Sequence, residues 1–323
     1  MRRVDALDGL RAIALVMVVV YHLDKAIFPA GHWGVMLFFV LSGYLITRTL
    51  CKEIDETGRV DLRSFWSKRL LRLYPALALM CLTLVVFGLD WRRTLPSLGM
   101  YANYARITGT DLGVLTHTWF VAVIAHFYLL WPVVMARIPR HRRVAVIGVL
   151  LAVAVAWRAV AIMTVSPGWV YNATDTNAAA LLAGALLAVT RLRSWRYAWV
   201  ALPLLGAATL LPFFGEEGAA FFWGGFVAIG LSLLAVRYAI QGPQWLGTPV
   251  MGWIGEVSYG LYLWHYVFLQ VGLGLIPTVT LSVALAAFSY YRVEEPLLAR
   301  ISAWRRRVRS AAIRQSREGA STP

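Results

Sequence analysis

Apolar runs of about 17 to 25 residues recur along the whole chain of 323 residues. Each run is long enough to cross about 30 Å of hydrocarbon as a helix that rises about 1.5 Å per residue. Apolar residues make up 59% of the chain and charged residues 15%, against about 45–50% and about 25% in a typical soluble domain. One aqueous core cannot bury so many apolar side chains. The sequence therefore predicts an all-α, polytopic transmembrane helical bundle.

We expect about ten membrane spans, which together form one membrane domain over residues 1–300. The segment 90–117 is only patchily apolar and predicts a short interfacial or re-entrant piece. Beyond residue 300 the chain is basic and polar, which predicts a disordered cytosolic tail over residues 301–323. The predicted spans cover residues 10–28, 33–51, 73–89, 118–137, 143–163, 175–190, 197–214, 219–238, 254–273 and 276–293.

The positive charges fall in short clusters between the apolar runs, although a net charge of +15 would also suit a nucleic-acid partner. Such clusters are typical of loops that face the anionic inner leaflet of a bilayer. With the N-terminus inside, 26 of the 31 lysines and arginines lie on the cytosolic side, and Arg158 lies within the fifth span. This bias predicts cytosolic N- and C-termini and a lipid bilayer, not nucleic acid, as the partner. The cations on the outer side are Lys25, Arg92, Arg93 and Arg106.

His22 stands near the outer end of the first predicted span. An ionisable side chain at membrane depth is costly and therefore indicates a functional site, and an imidazole suits a general base near neutral pH. Arg11 precedes it by eleven residues, which on a helix brings the two side chains within about 20° of one face and about 16 Å apart along the axis. The spacing alone leaves open an interfacial histidine with an ordinary helix-end arginine.

Arg69 and Arg72 lie one helical turn apart just before the third predicted span. Two guanidinium groups at this spacing can grip phosphates bidentately. The local sequence alone favours another interpretation, in which the two arginines anchor the span at the cytosolic interface.

The other candidates are polar residues in or at the ends of predicted spans, and each has an ordinary structural explanation. Ser42 with Gly43 predicts a small-residue packing notch, Asp175 could cap a helix, and the aromatic end of the ninth span resembles an interfacial belt. The nine-residue spacing of His117 and His126 is not that of metal ligands, so we predict no metal site. The candidates are Ser42, His126, Asp175, Tyr259, His265 and Glu294.

Taken together, several segments resemble the acyltransferase 3 family of membrane acyltransferases. The resemblance implies transfer of a short acyl group, usually acetyl, from cytosolic acyl-CoA to a hydroxyl of a cell-envelope glycan or glycosylated metabolite at the bacterial cytoplasmic membrane. It implies acyl-CoA as co-substrate and no permanently bound cofactor. The matching segments, in the family's order from Leu7 to Pro296, are LDGLRAIALVMVVVYH, GVMLFFVLSGYLI, RLLRLYPAL, HTWFVAVIAHFYLLWP, TDTNAAALLAGALLA, SYGLYLWHY and YYRVEEP.

Carried over by position, Arg11 and His22 match the family's Arg-x10-His pair, and Arg69 and Arg72 match its Arg-x-x-Arg. The resemblance implies that the arginines hold the CoA phosphates and that His22 removes the proton from the acceptor hydroxyl. It also implies three aromatic residues that line or brace the cavity, namely Trp119, Tyr128 and Trp131.

The chain departs from the family pattern at three positions. Family members usually carry Asp where this chain has Met36, Glu where it has Ile124, and Arg where it has Asn177. These departures favour, as an alternative, a catalytically degenerate relative that binds acyl-CoA or scaffolds an envelope complex. A lipid or glycan transporter is a further alternative, but the inverted repeats and paired broken helices expected of one are not seen in the sequence.

Overall fold

The computed structural model describes residues 5–190, 196–215 and 219–300. Within these ranges the chain folds into α-helices joined by turns and short 3-10 segments, and no strand occurs there. The predicted tail over 301–323 lies outside the described residues. The helices are α1 (Asp5–Leu23), α2 (Trp33–Thr57), α3 (Leu62–Val86), α4 (Leu95–Leu98), α5 (Ala102–Ile107), α6 (Trp119–Arg137), α7 (Arg143–Thr164), α8 (Pro167–Asn172), α9 (Thr174–Val189), α10 (Ala201–Thr209), α11 (Ala219–Ile240), α12 (Pro249–Gln270) and α13 (Leu275–Ser289).

Each of the ten predicted spans overlaps an α-helix, but the helices differ in length. Six of them, at α1, α2, α3, α6, α7 and α11, are long and apolar enough to cross a membrane. By contrast, α9, α10 and α13 have 16, 9 and 15 residues. Helix α12 has the length, but the polar residues Glu256, Ser258 and His265 interrupt its apolar sequence. The chain is therefore a multi-pass membrane protein, while the count of about ten spans and the cytosolic termini stay predictions.

Glycines let the central helices approach at backbone distance. A Cβ atom on Gly43 of α2 would lie 1.9 Å from the carbonyl oxygen of Leu181, and one on Gly184 of α9 would lie 1.9 Å from that of Val40. No larger residue fits at either position. Small residues at such crossings are the usual means of packing helices within a bilayer, where apolar side chains gain nothing by leaving the lipid.

The same device joins α1 to α12. A Cβ atom on Gly255 would lie 2.1 Å from the carbonyl oxygen of Asp8, so the beginnings of the two helices touch. Farther along both helices, His22 contacts His265. The two helices therefore run in the same direction. Their contact brings two of the candidate site residues, His22 of α1 and His265 of α12, next to each other.

The segment between α3 and α6 packs against other parts of the protein, while its predicted interfacial or re-entrant position stays a prediction. The Tyr74 hydroxyl of α3 donates to the carbonyl of Leu98 at 2.9 Å, and the amide of Asn103 donates to the carbonyl of Asn172 at 3.3 Å. Irregular backbone is tolerated at membrane depth only where protein groups satisfy it in this way. The segment ends in a 3-10 turn, Gly113–Thr118, which leads directly into α6.

Candidate functional site

A cavity of about 150 Å³ lies where the ends of α1 and α12 meet α5, α8 and the 3-10 turn before α6. We call it the histidine cavity. Three histidines, two cations and several aromatic rings face it, so it combines a possible proton acceptor with groups able to hold a polar ligand. Its lining includes Tyr21, His22, Lys25, Arg106, Thr116, His117, Trp119, Tyr171, Tyr262, Tyr266 and Gln270.

His22 is held by a chain of hydrogen bonds that fixes its tautomer. Nδ1 of His265 lies 3.1 Å from the carbonyl oxygen of Leu261. A carbonyl oxygen only accepts, so this nitrogen carries the proton, and Nε2 of a neutral His265 is left as an acceptor. Nε2 in turn lies 3.1 Å from Nδ1 of His22, which must be the donor. The lone pair of His22 is thereby assigned to its Nε2 atom, the state that a general base requires.

Aromatic residues and a third histidine pack around this pair. The ring of Tyr266 lies 5.0 Å from that of His22 and 4.9 Å from that of His117, between ring centroids. Nε2 of His117 donates to the carbonyl of Leu263 at 3.0 Å, and the Tyr262 hydroxyl donates to the carbonyl of His117 at 2.6 Å. The rings are therefore fixed before any ligand binds. Within the described ranges, no group of three or more histidine, cysteine or acidic side chains could hold a metal ion.

A second cavity of about 70 Å³ lies toward the beginning of α1, and we call it the arginine cavity. Arg11 and Arg72 both face it, from α1 and α3. Nη1 of Arg11 also donates to Asp8 at 3.1 Å. Two guanidinium groups in one pocket suit a phosphorylated ligand. The lining includes Arg11, Phe38, Ser42, Arg72, Phe120, Ile124, Tyr128, Ser258, Tyr259 and Tyr262.

Tyr262 separates the two cavities, because it lines both. Its ring lies 5.1 Å from that of Phe120, between centroids, and the hydrogen bond to the carbonyl of His117 holds it in place. Arg11 and His22, eleven residues apart on α1, thus face adjacent cavities on either side of an aromatic wall. Their spacing on one helix was predicted from the sequence, but the wall was not.

The sequence model of a family described as an acyltransferase domain, Acyl_transf_3, matches residues 4–290. The chain belongs to the acyltransferase 3 family. O-acetyltransferase OatA of Staphylococcus aureus strain NCTC 8325 is 30% identical over 345 residues, and a Staphylococcus aureus strain COL protein named "Putative O-acetyltransferase" is 28% identical over 352 residues. Each alignment covers 92% of this chain but only 57% of the relative. No solved structure matches the chain.

Arg69 and Arg72, the acyltransferase 3 family's Arg-x-x-Arg pair, are not in the same environment. Arg72 faces the arginine cavity, whereas Arg69 lines a neighbouring apolar cavity. The guanidinium of Arg69 lies 5.3 Å from the ring centroids of both Phe65 and Tyr128, which sandwich it. Tyr128 lines both the arginine cavity and this apolar cavity, so Arg69 supports the arginine cavity through the Tyr128 ring.

Four further candidates are absent from the lining of both cavities. Nε1 of Trp131 donates to Thr47 at 2.8 Å, so this tryptophan braces α6 against α2. His126 bonds to Thr174 at 2.7 Å. Asp175 accepts from the indoles of two tryptophans at 2.9 and 3.2 Å. Glu294, in a π-helical turn at Tyr290–Glu294, accepts from Ser289 at 3.0 Å.

The three departures from the family pattern have different surroundings. Met36 is buried in the apolar core, and Ile124 lines the arginine cavity. The amide of Asn177 donates to the carbonyls of Tyr171 and Ala173 at 2.9 and 2.8 Å. Asn177 therefore supports the backbone of α8, which presents Tyr171 to the histidine cavity.

Sequence reasoning missed several residues of the histidine cavity. It rejected His117 as a metal ligand and gave this histidine no other role. It counted Lys25 and Arg106 only among the positive charges of the predicted outer side. His117 and Arg106 come from the irregular segment 90–117, whose path is set by tertiary contacts that no helical spacing encodes. The available signal was chemical: histidines and cations stand beside aromatic residues in segments predicted at one membrane face.

Proposed function

We propose that the chain is a membrane O-acyltransferase of the bacterial cytoplasmic membrane. It moves an acyl group, acetyl in the simplest case, from cytosolic acyl-CoA to a hydroxyl of a cell-envelope glycan or a glycosylated metabolite. His22 is the general base. Family membership supports the reaction class, and the names of the relatives support acetyl as the group and a hydroxyl as its acceptor.

The observation that carries the proposal is the pairing of the two cavities across Tyr262. One of them holds a histidine with its lone pair assigned by hydrogen bonds, and the other holds two arginines suited to phosphates. A transferase that moves an acyl group from a CoA thioester to a hydroxyl needs a site for the base and a site for the CoA phosphates close to each other. The acceptor then enters on the side of His22, and the donor enters on the side of Arg11 and Arg72.

The chemistry proceeds by proton transfer at Nε2 of His22. This atom takes the proton of the acceptor hydroxyl as its oxygen attacks the carbonyl carbon of the thioester. The carbon–sulfur bond then breaks, the acyl ester is formed, and the CoA sulfur takes the proton back from Nε2. Nδ1 of His22 keeps its proton throughout and its hydrogen bond to His265 holds the ring in orientation. The base is therefore restored after every turnover.

The arginine cavity serves the donor. Arg11 and Arg72 neutralise phosphates of acyl-CoA with charge-assisted hydrogen bonds, while the aromatic wall keeps bulk water from the thioester. The predicted orientation is consistent with this assignment, because it places the beginning of α1 on the cytosolic side, where acyl-CoA is made. These proposed steps require no permanently bound cofactor.

The test is transfer of radiolabel from acetyl-CoA to envelope glycans by membranes that contain the protein. Wild type should release free CoA and label a glycan, and His22→Ala should lower both by about a hundredfold or more, as loss of a general base does. His141→Ala is the matched control, because His141 is an exposed histidine of the 3-10 turn before α7. Equal activity of wild type and His22→Ala would show that His22 is not the base.

A catalytically degenerate relative is the second candidate function, and Ile124 favours it. This residue lines the arginine cavity where family members usually carry a carboxylate. Such a protein would bind acetyl-CoA without releasing CoA or labelling any glycan. Ile124→Glu should then gain transfer, whereas in an active wild type the same change should leave the reaction in place or weaken it.

A further inference from the structure

Two cations face the histidine cavity beside the proposed base. Lys25 follows the end of α1 by two residues, and its ammonium lies 5.3 Å from the ring centroid of Tyr21. Arg106 comes from α5, is half-buried, and has its guanidinium 5.7 Å from the ring centroid of Tyr171. Resting on the function proposed above, we propose that the acceptor is an anionic sugar, bearing a carboxylate or a phosphate, and that Lys25 and Arg106 bind its charge.

The positive charge of the cavity lining is the first argument. Its lining contains Lys25, Arg106 and neutral polar groups, and among the described residues no aspartate or glutamate lines it. A cationic acceptor would be repelled by Lys25 and Arg106, whereas an anionic one would be attracted by both. Charges of one sign in a concave, low-dielectric site concentrate ligands of the opposite sign.

The distribution of charge along the chain gives a second argument. Lysine and arginine are disfavoured on the outer side of a membrane protein, and the sequence predicts only four of the 31 there. Two of those four, Lys25 and Arg106, line this cavity. They come from chain segments about 80 residues apart in sequence. Topology alone does not explain why these exceptions meet beside His22.

The base itself gives a third argument. In a hydrolytic triad a buried carboxylate stabilises the imidazolium that forms during the reaction. Here the partner of His22 is His265, whose own Nδ1 proton goes to a carbonyl, so it orients the ring but brings no negative charge. An anionic acceptor would supply that charge itself, and only while it is bound.

The size and lining of the cavity fit one sugar ring. A closed cavity of about 150 Å³ holds a six-membered ring such as benzene, and this cavity has that volume. Its aromatic walls, among them Trp119 and Tyr171, can stack on a ring face, while Thr116 and Gln270 offer hydrogen bonds to hydroxyls. The anionic group would then lie at the end of the ring nearer Arg106.

The experiment compares matched probes on the purified full-length chain. One pair is 3-O-carboxymethylglucose and 3-O-methylglucose, and the other is glucose 1-phosphate and methyl glucoside. Each pair differs in one charged group and keeps the C6 hydroxyl, and comparison of the pairs distinguishes a carboxylate from a phosphate. Equilibrium dialysis measures binding of each probe, and radiolabelled acetyl-CoA measures transfer to it.

We expect the anionic member of at least one pair to bind and react about tenfold better than its neutral partner, as a charge-assisted contact provides. Arg106→Gln should remove that preference by weakening the anionic probe about tenfold more than the neutral one, while Arg106→Lys should restore most of it. Lys25→Gln should have a smaller effect of about two- to fivefold, because Lys25 is exposed. Arg92→Gln is the matched control, an exposed outer arginine that does not line the cavity.

Three results would overturn the inference. One is equal binding of charged and neutral probes by wild type, and another is a preference that survives Arg106→Gln. The third is a raised KM for acetyl-CoA in Arg106→Gln with the acceptor preference intact, which would assign these cations to the phosphates of CoA. If no probe is acylated but anionic probes bind selectively through Arg106, the proposed reaction fails while the anion site stands.

Discussion

The histidine cavity and the arginine cavity are built from different kinds of chain. The arginine cavity is lined by long helices, namely α1, α2, α3, α6 and α12, and each contributes side chains at helical spacing. The histidine cavity shares α1 and α12 but takes the rest of its lining largely from short elements such as α5 and α8 and from a 3-10 turn. Irregular segments tolerate substitution better than packed helices. The cavity proposed for the donor is therefore built on regular helices, and the cavity proposed for the acceptor is built largely on irregular chain.

The comparison predicts that changes in the two cavities will separate kinetically. Substitutions that disturb the base in the histidine cavity should lower kcat. Substitutions that weaken acetyl-CoA binding in the arginine cavity should raise the KM for acetyl-CoA. After the loss of His22 itself, the largest effect is expected at His265, a positioning residue for the base. His265→Ala removes the acceptor of the His22 Nδ1 proton and frees the ring. We expect kcat to fall about a hundredfold with little change in the KM for acetyl-CoA.

A rescue experiment distinguishes positioning from simple packing at this site. The side-chain oxygen of glutamine can accept a hydrogen bond near the position of histidine Nε2, so His265→Gln should recover a large part of the kcat lost in His265→Ala. His126→Gln is the matched control, a histidine of α6 that bonds to Thr174 and lines neither cavity. Equal losses in His265→Gln and His265→Ala would contradict the tautomer assignment.

On the arginine side, Arg72→Ala should raise the KM for acetyl-CoA about tenfold, because it removes a charge-assisted contact to a phosphate. Arg69→Ala should have a smaller effect, since Arg69 is held between Phe65 and Tyr128 and acts through the latter ring. Steady-state kinetics with acetyl-CoA varied at fixed acceptor measures both. Arg63→Ala, at an exposed arginine of the same helix, controls for loss of one positive charge on the predicted cytosolic side.

A larger effect of Arg69→Ala than of Arg72→Ala on that KM would reverse the assignment. It would mean that the donor enters through the apolar cavity beside Arg69. A fall in kcat alone in Arg72→Ala would instead place this arginine on the side of the chemistry and remove the distinction between the two cavities.

Regular periodicity explains what the sequence could predict. Apolar runs located the helices, and the eleven-residue spacing of Arg11 and His22 correctly placed the two side chains on one helix, because both depend only on the geometry of α1. The role of His22 as the base stays a prediction. The same reasoning paired Arg69 with Arg72, but two flanking aromatic rings hold Arg69 in the neighbouring cavity. The contact of His22 with His265 spans 243 residues and depends on glycine-mediated packing of α1 against α12. Such a contact leaves no periodic pattern in the sequence from which it could be predicted.

The smallest effect is expected at the wall between the cavities. Tyr262→Phe removes a hydroxyl that donates to the carbonyl of His117, at a cost to stability of about 1 kcal/mol, but it keeps the aromatic ring that lies between the two cavities. Transfer should therefore stay within about threefold of wild type. Tyr262→Ala removes the ring and should open the donor side to water, so that acetyl-CoA is hydrolysed without labelling a glycan. The ratio of CoA released to label transferred measures this, and an unchanged ratio in Tyr262→Ala would mean that Phe120 or the bound acceptor, not Tyr262, keeps the thioester from water.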